Sequence, residues 1–131
     1  MPDTVIPHEI EGWWRITETS TWPDDELDII GPALLSITGS GDRLRMCCLL
    51  AYVNCRPTKS GVSFTWEGAW EFDQMSGSGS VKLRKDGHLS GRFRIKNGDG
   101  CTFLAERAEE PDDAIPNPPS YRDKWGGLRR W

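Results

Sequence analysis

From Val62 to Arg107 apolar and polar residues alternate with a period of two, and three turn-forming clusters interrupt the alternation. That period puts successive side chains on opposite faces of a strand. Turn residues at such short intervals leave room only for hairpins. The stretch therefore predicts consecutive antiparallel strands, each with one face in a core and one in water. Fourteen glycines and nine prolines in 131 residues supply the turns, and seven tryptophans with four phenylalanines supply bulky core material. A chain of this length forms one domain that buries about two-thirds of its unfolded surface.

Seven strands are expected. The first is Ile10 to Glu18, with Ile10, Gly12, Trp14 and Ile16 on one face. Pro23 followed by acidic residues predicts a short helical segment over residues 23–29, which Gly31-Pro32 ends. A second strand, Ala33 to Thr38, stops at the turn Gly39-Ser40-Gly41-Asp42, and a third, Arg43 to Cys55, carries the apolar run Met46 to Val53. In the fourth, Val62, Phe64, Trp66, Trp70 and Phe72 face inward. A loop over Asp73 to Ser76 would oppose Phe72 to Gly77, Trp70 to Gly79 and Trp66 to Leu83, leaving glycines beneath large rings. A three-residue loop with Gly87 left-handed sets Leu83 against Leu89. A turn around Asn97-Gly98-Asp99 brings Ile95 to Cys101 and Phe93 to Phe103. The expected fold is all-β: an antiparallel, mostly meandering small barrel or strongly curled sheet.

Residues 1–9 read as an N-terminal extension, 10–108 as the barrel domain and 109–131 as a proline-rich tail. Glu109-Glu110-Pro111-Asp112-Asp113, followed by Pro116, Pro118 and Pro119, predicts an extended, solvated segment. Beyond it Trp125, Arg129, Arg130 and Trp131 combine the residue types that anchor interfaces, a candidate partner-binding peptide.

The net charge of −4 argues against a dedicated nucleic-acid binder, although a local basic face is compatible with it. The N-terminus lacks a basic, apolar leader, and no run reaches the ~20 apolar residues of a membrane helix. The expected compartment is the cytoplasm, with reduced thiols. Cys47, Cys48, Cys55 and Cys101 show no metal-ligand spacing with each other or with His8 and His88, so neither a metal nor a cofactor is expected. Cys47 and Cys48, as neighbours on one strand, would point to opposite faces.

Gly12-Trp13-Trp14 resembles the Gly-x-Trp opening of lipocalins and fatty-acid-binding proteins. That resemblance implies a late basic residue packed over the tryptophan, with Arg107 as its counterpart. A wider resemblance, over residues 10 to 107, is to a group of small uncharacterised bacterial proteins with a lipocalin-like barrel pattern. It is carried by Gly12-Trp13-Trp14-Arg15-Ile16, Gly31-Pro32-Ala33, Phe64-Thr65-Trp66-Glu67-Gly68, Ser76-Gly77-Ser78-Gly79 and Gly98-Asp99 through Phe103, Ala105 and Arg107. The chain departs from it at Trp70, where an acidic residue is usual, and at Lys96, where histidine is usual. The resemblance implies a fold and no activity.

Three candidate sites follow. Trp14, Tyr52, Trp66, Trp70, Phe93 and Phe103 would line an interior that is either an apolar-ligand pocket or a filled core. Lys82, Arg84, Arg92, Arg94 and Lys96 point outward from adjacent strands, with Glu67 expected opposite Lys82 and Glu106 near Ser90 as local compensation. Glu67, Glu71 and Asp73 form an acidic cluster on an outward face, and no catalytic motif is present. The leading expectation is a non-catalytic binding protein acting on a protein partner, a second copy of itself or a small apolar ligand. A small barrel enzyme with acid–base groups at the mouth, or oligonucleotide binding on the basic face, are the alternatives.

Overall fold

The alternation is realised as eight strands: β1 (Gly12–Thr19), β2 (Leu34–Ile37), β3 (Asp42–Met46), β4 (Leu49–Pro57), β5 (Val62–Trp70), β6 (Asp73–Leu83), β7 (Leu89–Ile95) and β8 (Gly100–Ala108). Each is antiparallel to the next, and β8 pairs back onto β1 to close a barrel. The computed structural model describes residues 6–70, 73–98, 100–112 and 115–116. Closure leaves no strand edge unpaired. A bulge between Ile16 and Glu18 bends β1 so that it serves both β2 and β8. The expected helical segment is a single 3₁₀ turn, Asp24–Glu26.

The eighth strand comes from splitting the expected third one. Met46 pairs with Leu49, so Cys47-Cys48 is a two-residue hairpin turn and not a stretch of strand. Cys47 takes φ of 58°, a left-handed value at the turn position where glycine is usual. Its side chain is nevertheless buried, and its amide donates to Leu27 O at 2.8 Å. The run Met46 to Val53 thus reads as apolar because both arms of the hairpin contribute inward residues.

Two registers differ from expectation, each by an even number of residues, so the described side chains keep their expected faces. Trp70 pairs with Asp73, so only residues 71–72 link β5 to β6. Trp66 therefore lies opposite Gly77 and Phe64 opposite Gly79, while Phe72 falls outside the described residues. Between β7 and β8, Phe93 pairs with Cys101 and Gly91 with Phe103. A period-two pattern constrains the face and not the number of rungs, so the shifts of six residues between β5 and β6 and of two between β7 and β8 cost no burial. What selects the observed rungs is space. A Cβ at Gly79 would run into the Phe64 ring, one at Gly91 into the Phe103 ring, and one at Gly77 into the Trp66 indole. The Leu83–Leu89 pair is as expected, with Gly87 at φ of 88°.

Both ends of the barrel are stopped. At one end Ile6 and Ile10 join the core, and Trp14 Nε1 donates to Ile10 O at 2.8 Å. At the other end the long β1–β2 connection folds over the opening. It is held by the Arg15–Asp28 ion pair, by Arg45 Nε donating to Pro32 O (2.9 Å), and by the buried Leu27.

Candidate functional site

The interior is packed with rings in mutual contact. Trp66 and Phe93 stack with centroids 4.8 Å apart and planes 14° from parallel. Trp22, from the β1–β2 connection, stacks on Trp70 at 5.6 Å and meets Phe93 edge-on at 6.5 Å. Trp14, Trp66, Phe93 and Phe103 are buried, and half-buried Trp70 closes the end beneath Trp22. Tyr52 is not among them. It stands on the outer face of β4, opposite Glu67 and 40% exposed, with the Arg43 guanidinium 4.5 Å over its ring. Trp22 escaped sequence reasoning because it belongs to no strand, and only the folded connection brings it inward.

The outer face is where the chain gathers unbalanced charge. Lys82 pairs with Ser90, Arg92 with Ser80 and Arg94 with Ser78. The Lys96 amide donates to Ser76 O at 2.8 Å, which adds a fourth level. Each of these successive outward rungs thus holds one serine and one cation. Outward residues on a strand repeat every ~6.7 Å, so the ladder runs for about 20 Å. The compensation expected at Lys82 is not there: Glu67 lies opposite Ser76, at the Lys96 end of the ladder, and Leu104 takes the place beside Ser90. Among the described residues none of Lys82, Arg92, Arg94 or Lys96 forms an ion pair. Arg84 stands apart. It lies in the β6–β7 turn and pairs with Asp86 at 3.3 Å, whose carboxyl the His88 backbone N–H holds below its ordinary range.

Small serines between longer neighbours make this face concave. One groove of about 680 Å³ has Ser76 and Ser78 as its floor, Arg94 and Lys96 on one wall, and Tyr52 and Glu67 on the other. A second, of about 460 Å³, continues past Arg92 and Thr102. A third, of about 420 Å³, reaches Lys82, Ser90 and Glu18. All three are lined chiefly by outward residues of adjacent strands, so they lie outside the barrel.

The remaining candidates stay apart. Glu67 and Asp73 are exposed, with Asp73 opposite Trp70, three positions along β5 from Glu67 and so about 10 Å away. Glu71, Trp125, Arg129, Arg130 and Trp131 lie outside the described residues. Burial pushes the Cys47 thiol up to about 11 and raises Cys55 and Cys101 as well. Among the described residues no three His, Cys, Asp or Glu side chains group as metal ligands, and no helix is long and apolar enough to cross a membrane.

The fold is a closed eight-stranded antiparallel barrel, compatible with the lipocalin-like pattern, and Arg107 does pack over Trp14, at 4.1 Å. No protein-family model, curated protein or solved structure matches the chain.

Proposed function

We propose that this chain is a non-catalytic binding protein that holds an acidic, extended segment of a protein partner along its serine–cation ladder. The observation that carries the reading is the run of four rungs with a cation in each and, among the described residues, no ion pair to any of them. An extended peptide repeats its side chains at the same ~6.7 Å as the strands beneath it. Carboxylates at alternate positions therefore meet successive cations, and serine hydroxyls supply further donors. The net charge of −4 disfavours a long nucleic-acid strand as the partner. Four free cysteines, three with raised thiol pKa, fit a reducing compartment, and the cytoplasm is the location proposed.

Fluorescence anisotropy with a labelled oligoglutamate tests the reading. Binding should be abolished by R92E/R94E and weakened steeply by salt, since exposed charges are screened beyond about 8 Å at physiological ionic strength. Tighter binding of a single-stranded oligonucleotide would reassign the partner class. Equal binding by wild type and R92E/R94E would remove the ladder from the reading.

A second reading rests on Trp22. Its ring fills the space between Trp70 and Phe93 and enters from a connection, not a strand. A small planar apolar ligand could take that place if the connection opened.

A further inference from the structure

We infer that the acidic segment is available within the chain itself: Glu110 and Asp112 of one copy dock on Arg92 and Arg94 of a second copy. The inference rests on the ladder reading above and adds the identity of a partner. Glu109, Glu110 and Asp112 are all exposed where the chain leaves β8. Pro111 fixes its own φ and biases Glu110 toward extended backbone. The two flanking carboxylates are then held about 6–7 Å apart, the pitch of the rungs they would meet.

The contact has to form between copies. Arg92 is level with Thr102 and Arg94 with Gly100, while β8 runs away from both toward Ala108. Seven residues separate Thr102 from Glu109, so Glu109 stands about 23 Å beyond the Arg92 rung. Glu110 lies one residue and Asp112 three residues past Glu109, at most about 4 Å and 11 Å, so the two carboxylates together cannot reach back to Arg92 and Arg94 of their own chain. Two copies exchanging this segment would form a two-fold pair in which each ladder is filled by the other's carboxylates. In that pair the chain's acidic segment competes for the ladder with any other acidic partner.

Sedimentation velocity of the full chain, at about 20 mM and about 500 mM salt, tests this. The expected result is a dimer at low salt that dissociates at high salt. R92E/R94E and E110K/D112K should each weaken dimerisation by about tenfold or more. The quadruple variant carrying both charge reversals should recover most of the loss, because it restores opposite charges across the same contact. All four positions are exposed, and matched melting curves confirm that each variant folds. A monomer at low salt overturns the inference, as does a dimer indifferent to both reversals or a quadruple variant with no recovery. Oligoglutamate binding by such a monomer would leave the ladder reading standing, so the two failures are separable.

Discussion

The Arg107 guanidinium lies 4.1 Å over the Trp14 ring, joining the last strand of the barrel to the first. Its two nitrogens also donate to Glu11 O (2.7 Å) and Glu9 O (2.6 Å), which anchors the N-terminal segment across the same end. Gly12 makes the approach possible. Its φ is 132°, and a Cβ there would meet Arg107 Nη1 at 2.6 Å. One residue thus ties the two chain ends of the barrel to its most deeply buried tryptophan.

Replacing Arg107 by Ala should cost roughly 1–2 kcal/mol, from an exposed cation–π contact and two charge-assisted hydrogen bonds. Arg107→Lys should fall between, because an ammonium keeps the charge and loses the planar fork. Urea unfolding followed by tryptophan fluorescence measures both. Equal stability of wild type and Arg107→Ala would show that the contact adds nothing.

Gly79→Val should destabilise the barrel by roughly 1–3 kcal/mol, because its side chain would compete with the Phe64 ring. Phe64→Leu in the same chain should recover part of the loss, whereas Trp70→Leu should not. The double variants thus separate the observed register from one that places Gly79 under Trp70.

Asp42 is a buried carboxylate that receives bonds from Ser36 Oγ (3.1 Å), Thr38 N (2.8 Å), Thr38 Oγ1 (2.7 Å) and Gly39 N (2.8 Å). Asp42→Ala strands these donors at the β2–β3 turn and should cost roughly 2–4 kcal/mol. Thermal melts check this, and a loss below that of an ordinary surface substitution would contradict it.

Reductant should leave stability unchanged, since all four cysteines are free. Alkali should not. Burial raises the Cys47 thiol from 9.0 to about 11, so between these values the folded chain holds a proton that the unfolded chain has released. Stability is then fully present below pH 9 and falls as pH rises through the window. Unfolding free energies measured from pH 8 to 11, for wild type and Cys47→Ser, should show a shallower decline in the variant.

Truncation after Ala108 removes the buried Ile115 and should cost roughly 1–3 kcal/mol while leaving the barrel folded. Circular dichroism melts of the shortened chain decide it. Failure to fold would make the segment an integral part of the barrel.

The inward faces of β1 and of β5 to β8 were legible in the chain, because burial on one side imposes a period of two that any register must respect. In β4 the apolar run Met46 to Val53 masked it, and Tyr52, expected inside, stands outside. Trp14, Trp66, Phe93 and Phe103 were found inside on that ground, and Arg92, Arg94, Lys82 and Lys96 outside. How far each strand slides was not legible, since a shift by two residues conserves the pattern. That choice fell to volumes: a phenylalanine ring over Gly79 and a second over Gly91. The slide also moved Glu67 away from Lys82 and exposed Ser76 as a rung, so the unbalanced ladder is a product of register. Cys47-Cys48 hid a turn because cysteine carries no turn signal, and the left-handed φ at Cys47 is imposed by strands pairing on either side. Local sequence determined the faces of β1 and of β5 to β8, and most of the turns. Long-range packing decided the rungs, the closure of β8 onto β1, and therefore which charges stand together.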